Sequence, residues 1–140
     1  MAAKQKHIYI SAIEHYAEAF DTRALEVMRR LESHGYTVWW QKQIRPYEII
    51  EQEIADCDAL LALIDETWWS STWMASEVTW AIGEGGAIDT PNPKMQPIPV
   101  FIYWMRESHN RGWLGMRPML TFLERDPDEA CAAICRMLER

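Results

Sequence analysis

Ala-Leu-Leu-Ala-Leu-Ile, Ala59 to Ile64, is the stretch that decides the fold, because every side chain in it is apolar and Asp65 follows directly. A strand buried on both faces of a sheet has such a continuous apolar run, whereas a half-exposed strand alternates between apolar and polar residues. The run is also shorter than a typical helix. We therefore predict that Ala59 to Ile64 forms the central strand of a parallel sheet.

Three further segments are predicted to be strands. His7 to Ser11 lies near the N terminus, and Tyr36 to Trp40 is dense in β-branched and aromatic residues, which favour strands. Pro97 to Trp104 carries its prolines at the start, where they do not interrupt the hydrogen bonds of a sheet. The segment Arg106 to Leu123 has no regular pattern and is predicted to be irregular.

Helical patterns separate the predicted strands. The first helix is expected to begin after Asp21, whose side chain can cap it, and to end at Gly35. The other predicted helices run from Tyr47 to Asp56, from Thr72 to Glu84 and from Asp126 to Arg140. Strands that alternate with helices favour right-handed crossovers, a parallel sheet and helices on both of its faces. Sheets of this kind bind ligands beyond the carboxyl ends of their strands.

Composition limits the domain count and the partners. The 140 residues, of which 49% are apolar, predict one domain spanning residues 1–140. The net charge of −7 and the pI near 5.1 argue against nucleic acid, since proteins that bind phosphate backbones collect lysine and arginine. No membrane contact is expected either, because the chain lacks an apolar run of roughly 18 residues and its start lacks the apolar core of a signal peptide. A cytoplasmic location is predicted.

The cysteines and histidines show no metal-ligand spacing. Cys57, Cys131 and Cys135 cannot form a closed set of disulfides, and none belongs to a Cys-x-x-Cys pair. The four histidines lie far apart in sequence. No glycine-rich phosphate loop follows the first strand, which ends at Ser11, and this argues against a Rossmann hydride-transfer enzyme. We therefore predict reduced thiols, no metal and no cofactor.

Trp73 and Glu77 are the residues that suggest chemistry. They lie four positions apart in the helix predicted for Thr72 to Glu84, and hence on one helix face. An indole can form a stacking wall, and a fixed carboxylate stabilises the oxocarbenium-like transition state of glycosidic bond cleavage. Taken alone, the spacing is more typical of a core tryptophan and a solvated glutamate. The surrounding sequence decides between these interpretations.

The sequence resembles that of a Toll/interleukin-1 receptor (TIR) domain over about residues 7–104. The motifs that carry the resemblance are Tyr9-Ile10-Ser11, Gly35-Tyr36-Thr37-Val38-Trp39-Trp40, Cys57-Asp58-Ala59-Leu60 and the cluster of Ser71, Trp73 and Glu77. The resemblance implies a three-layer α/β fold with a five-stranded parallel sheet of flavodoxin-like order and helices on both faces.

The resemblance also implies a function like that of the catalytic, often bacterial, TIR proteins. These cleave nicotinamide from NAD and hydrolyse or cyclise the ADP-ribose, in some cases to make a signal in antiviral defence. NAD is then a substrate and not a cofactor. Glu77 matches the catalytic glutamate of these proteins, and Trp73 matches an aromatic residue that lines the pocket. The loop Gln41 to Tyr47 corresponds to the one through which TIR domains contact each other and cover the substrate.

Further residues are assigned to the substrate pocket beside Glu77. Ser11 ends the first strand, and Ala12 stands where the family often has an aromatic residue. Tyr47 or Trp40 can supply the aromatic surface that Ala12 lacks. Trp69, in the loop before the Glu77 helix, can stack on a base, although packing in the core or at a subunit interface is an alternative role for it.

Two other functions stay open at this point. The chain can be a non-catalytic TIR module that recruits partners through its loop and its acidic surface. It can also be a nucleoside-processing enzyme of the same sheet order, in which Glu77 acts as a nucleophile and forms a covalent bond to a sugar.

Overall fold

A computed structural model gives the fold of the chain. It describes residues 6–11, 22–40, 53–64, 77–78, 81–82, 97–104 and 120–139, with the backbone alone at residues 22–24, 39 and 40. No helix within these ranges is long and apolar enough to cross a membrane.

The described residues include five strands that form one sheet. These strands are β1 (His7–Ser11), β2 (Thr37–Trp40), β3 (Ala59–Ile64), β4 (Val100–Trp104) and β5 (Leu120–Phe122). They lie in the order β2-β1-β3-β4-β5, and each neighbouring pair is parallel. β3 is therefore the central strand, with the bounds that its apolar run predicts. The order is flavodoxin-like, and the predicted fold class is confirmed.

The helix α1 (Thr22–Ser33) follows β1 and packs against β2. Its inner face carries the fully buried Val27 and Leu31. It ends at Ser33, two residues before the predicted Gly35, whose φ of 93° is a left-handed conformation that glycine adopts at no steric cost. The predicted cap Asp21 lies outside the described residues.

The helix α2 (Pro127–Leu138) packs against α1. Asp126 caps it, because its side chain accepts a hydrogen bond from the backbone N–H of Glu129 at 3.1 Å. Pro127 occupies the first turn, where its missing N–H costs no intrahelical bond. Ala130, Ile134 and Leu138 are buried and form the inner face of the helix.

Removing the cap of α2 is expected to destabilise the fold modestly. Asp126→Ala should lower the free energy of unfolding by about 1 kcal/mol, since the Glu129 N–H loses its acceptor. Urea unfolding followed by circular dichroism measures the change. Asp126→Asn is the control because its amide oxygen can still accept the bond. Equal losses in both variants would contradict a capping role.

Two hydrophobic clusters lie on opposite faces of the sheet, because successive side chains of a strand point to opposite sides. In the first cluster, Ile8, Leu61 and Phe101 pack with the inner faces of α1 and α2. The second cluster contains side chains from the alternate strand positions, together with helical or helix-flanking residues from two other segments of the chain. Its members include Tyr9, Leu60, Ala62, Ile102, Ile54, Val78, Ala81 and Ile82.

The structure corrects the prediction for the segment after β4 and shortens two of the predicted strands. The segment Arg106 to Leu123, predicted to be irregular, contains the edge strand β5, which pairs with β4 on one side. Three residues are too few to show a periodic pattern, so no periodic signal marks this strand in the sequence. β2 and β4 begin later than predicted, at Thr37 and Val100, and the prolines before β4 precede the strand as expected.

Candidate functional site

Glu77 is a buried carboxylate held by two hydroxyl groups. Only 2% of the residue is exposed to solvent. The Tyr9 hydroxyl donates a hydrogen bond to Oε2, and the Ser11 hydroxyl donates one to Oε1 at 3.0 Å. Among the described residues, each carboxylate oxygen thus has one donor, and it retains a second lone pair for another donor.

The sheet determines where these hydroxyl groups lie. Tyr9 and Ser11 are two positions apart in β1 and therefore point to the same face. They lie beside Leu60 and Ala62 of β3, at the centre of the sheet. Ser11 is the last residue of β1, so the hydrogen bond from its side chain fixes Glu77 at the carboxyl edge of the strand. That edge is where parallel sheets of this order bind ligands.

The helix around Glu77 presses it onto the sheet. Residues 77, 78 and 81 are helical, and Val78, Ala81 and Ile82 are buried in the second hydrophobic cluster. The spacing of these apolar residues orients one side of the helix towards Tyr9 and its neighbours. Glu77 lies one helical turn before Ala81 and so shares its buried side.

Burial dominates the electrostatics of Glu77. Loss of solvent raises the pKa of its carboxyl group from 4.5 to about 7, although the hydrogen bonds from Tyr9 and Ser11 oppose the rise. Burial and the adjacent Glu77 carboxylate raise the pKa of Tyr9 well above its ordinary value, so Tyr9 keeps its proton and stays a donor. Near neutral pH the site therefore holds both the acid and the carboxylate form of Glu77.

A buried carboxyl group that exists in both protonation states, as Glu77 does, is suited to interact with a sugar. The carboxylate form can accept hydrogen bonds from sugar hydroxyls or stabilise positive charge on a ribose ring. The acid form can donate a proton. One carboxylate and two hydroxyls are a poor ligand set for a metal ion. Among the described residues, His34, Cys131 and Cys135 form a group of three possible metal ligands. Cys131 and Cys135 belong to the first hydrophobic cluster, which lies on the sheet face opposite Glu77.

Replacing Tyr9 by phenylalanine should destabilise the fold in a pH-dependent way. Tyr9→Phe removes a hydrogen bond to a buried charge, and such bonds contribute about 1.5–3 kcal/mol, whereas bonds between neutral groups contribute about 1 kcal/mol. The loss of unfolding free energy should therefore be larger at about pH 8, where Glu77 is ionised, than at about pH 5. Urea unfolding at both pH values measures it.

Tyr103→Phe is the matched control for Tyr9→Phe. Tyr103 is also a fully buried tyrosine of the sheet, but its hydroxyl donates to the backbone carbonyl of Arg125 at 2.7 Å. Its acceptor carries no charge, so the loss should be similar at both pH values. If Tyr9→Phe behaved in the same way, the hydrogen bond would not depend on the ionisation of Glu77.

The structure brings together two of the residues that the sequence assigns to the pocket, Ser11 and Glu77. The backbone of Trp40 pairs with Ile10 at the carboxyl edge of β2, but its side chain lies outside the described part of the structure. The remaining assigned residues, Ala12, Tyr47, Trp69 and Trp73, also lie outside the described residues, as does the loop Gln41 to Tyr47.

Among the described residues of this site, Tyr9 is the one that the sequence did not predict. Its aromatic ring fits the apolar pattern of β1, and nothing nearby in sequence marks its hydroxyl as a partner of Glu77. A signal was nevertheless present, because Tyr9 and Ser11 put two hydroxyls on one face of a strand, and a parallel sheet with helices on both faces buries its strands. Two buried donors on one face require an acceptor from another element.

The comparison with protein families gives a match over most of the chain. The family described as TIR domain matches residues 13–136, a range that contains Glu77 and four of the five strands. No curated protein matches the sequence. The match covers most of the chain, and the observed sheet order is the flavodoxin-like order that the resemblance implies. The chain belongs to the TIR domain family.

Proposed function

We propose that the protein cleaves the bond between nicotinamide and ribose in NAD, with Glu77 as the catalytic carboxylate. The observation that carries the proposal is the position of Glu77, buried at the carboxyl edge of β1 and fixed by Tyr9 and Ser11. Membership of the TIR domain family supports it, since that family includes NAD-cleaving enzymes.

The proposed reaction needs a negative charge held close to the sugar. When the carbon–nitrogen bond breaks, nicotinamide leaves with the bonding electrons as a neutral base, and positive charge develops on the ribose. A carboxylate that is already oriented stabilises this charge more than it stabilises intact NAD. Water then adds to the ribose carbon and releases a proton, which yields ADP-ribose. Attack by a nucleophile within the same molecule yields a cyclic product instead.

Tyr9 and Ser11 act as positioning residues in this scheme. Their hydrogen bonds restrain both oxygens of Glu77, so the carboxylate need not reorganise as charge develops. They also counter the effect of burial on its pKa and so favour the ionised form. Because the pKa of Glu77 is about 7, the rate is expected to rise with pH as the carboxylate forms.

Self-association belongs to the same proposal. TIR domains commonly self-associate, and the loop Gln41 to Tyr47 is the proposed contact in this chain. If that contact helps to form the pocket, nicotinamide release per chain rises with protein concentration. An ADP-ribose-derived product would fit a signal in antiviral defence, and mass spectrometry of the products distinguishes the linear form from a cyclic one.

The test is an assay of nicotinamide release from NAD by dilute and by concentrated protein. Wild type and Glu77→Gln are compared, with Glu32→Gln as a control for loss of a glutamate on the exposed side of α1. Release by the wild type and the control, but not by Glu77→Gln, supports the proposal. Equal release by all three proteins removes Glu77 from the mechanism. No release at any concentration, with self-association intact, points to a non-catalytic interaction module.

A further inference from the structure

A group of soft metal ligands lies where α1 and α2 meet. His34 follows the last residue of α1, and Cys131 and Cys135 are one turn apart on α2. One imidazole nitrogen and the two sulfur atoms all lie within 4.8 Å of one another. We propose that these three side chains bind a divalent metal ion of the zinc type and thereby join the two helices.

The distances suit a tetrahedral ion. Ligand atoms about 2.3 Å from a shared tetrahedral centre are roughly 3.8 Å apart. Separations of at most 4.8 Å therefore close onto an ion with side-chain adjustments of about 1 Å or less. Two sulfurs and one imidazole nitrogen favour zinc over magnesium or calcium, which prefer oxygen ligands.

The two helices hold the ligands in place before any ion binds. Cys131 and Cys135 are 3% and 9% exposed and belong to the first hydrophobic cluster, so the thiols are fixed by the packing of α2. The backbone N–H of His34 donates to the carbonyl oxygens of Arg30 and Leu31, which fixes its backbone at the end of α1. His34 itself is exposed and gives an ion access from solvent.

The surroundings leave room for a fourth ligand. A depression of about 320 Å³ is lined by all three ligands and by Glu139. Water or the Glu139 carboxylate can complete a tetrahedron there. The Tyr36 hydroxyl donates to Oε1 of Glu139 at 2.8 Å, the kind of outer contact that orients a ligating carboxylate.

The charges around the depression do not oppose an ion. Arg30 and Arg136 line it together with Asp128 and Glu139, so the two charges of each sign balance. Arg30 is paired with both Glu26 and Asp128, which holds its guanidinium in ion pairs. A divalent ion with two thiolates adds no net charge. Each thiol gives its proton to solvent as its metal–sulfur bond forms.

This proposal departs from the prediction of no metal made from sequence. That prediction considered ligand pairs within single segments, and the Cys131 and Cys135 spacing is not a common zinc motif. The third ligand, His34, comes from a distant part of the chain, and only the packing of α1 on α2 brings it close. Buried cysteines commonly serve as small apolar groups, and a metal titration separates that role from ion binding.

Cobalt(II) is the appropriate probe, because thiolate ligation gives it a near-ultraviolet charge-transfer band and a tetrahedral site gives it strong visible absorption. The full chain, reduced and freed of metal, is titrated with Co²⁺ and then with Zn²⁺. The expected result is one Co²⁺ per chain with both spectral features, displaced by one Zn²⁺. Zn²⁺ should also raise the melting temperature.

Variants identify the ligands. His34→Ala alters an exposed side chain and should fold. Loss of a residue that only hydrogen-bonds to a metal ligand weakens metal binding by ~10-fold to 100-fold. Because His34 is a proposed ligand itself, His34→Ala should weaken Zn²⁺ binding by more than that. Cys135→Ser should lose the charge-transfer intensity of one thiolate. Cys57→Ser is the control, since Cys57 packs against the second cluster and should bind like the wild type. A Co²⁺ spectrum without thiolate bands, or wild-type affinity in His34→Ala and Cys135→Ser, would overturn the proposal.

Discussion

Glu77→Gln is expected to release nicotinamide from NAD at least ~100-fold more slowly than the wild type at about pH 8. The substitution preserves the shape of the side chain and an oxygen that accepts a hydrogen bond, but it removes the negative charge. Because positive charge on the ribose develops mainly in the transition state, the loss should fall on kcat more than on KM. Initial rates of nicotinamide release at several NAD concentrations measure both constants.

The surface variant Glu32→Gln separates this effect from a general loss of charge. Glu32 lies on the exposed side of α1, and its replacement should leave the rate within about twofold of the wild type. Circular dichroism should show that both variants fold. A Glu77→Gln protein as active as the wild type would mean that the buried carboxylate has a structural role alone.

The central part of the fold was predictable because its signals are local. The apolar run 59–64 indicates a strand buried on both faces, and the structure gives it those bounds and the central place in the sheet. Gly35 marks the end of α1 because a left-handed residue there favours glycine. β5 was missed because Leu120–Phe122 is too short to carry a period, and its place depends on pairing with β4.

The candidate site was predictable only in part, because its contacts join residues far apart in sequence. Glu77 was found through its motif, and Ser11 through its place at the end of a strand. The hydroxyl of Tyr9 reaches Glu77 from the neighbouring layer, and although the spacing of Tyr9 and Ser11 marks two donors on one strand face, it does not identify Glu77 as their acceptor. The meeting of His34 with the two cysteines of α2 likewise depends on how two helices pack. Tertiary packing determines such clusters, and local patterns do not.

The second large effect concerns stability, and Glu77 is expected to destabilise the fold as pH rises. Its pKa is about 7 in the folded chain and close to 4.5 when unfolded, so the folded state binds the proton more tightly. Below about pH 4.5 both states are protonated and Glu77 makes no difference. Between about 4.5 and 7 the free energy of unfolding falls with rising pH, and above 7 the full cost, roughly 3 kcal/mol, is present.

Glu77→Gln should remove this dependence, because glutamine stays neutral at every pH. The variant should match the wild type at about pH 4.5 and exceed its unfolding free energy by roughly 2–3 kcal/mol at about pH 8. Urea unfolding across this range measures the difference, and Glu32→Gln should follow the wild type within about 0.5 kcal/mol throughout. A difference between Glu77→Gln and wild type that stays constant with pH would mean that burial does not raise the pKa of Glu77. A gain in stability together with a loss of activity is the pattern expected of a charge kept in an unfavourable place for its chemistry.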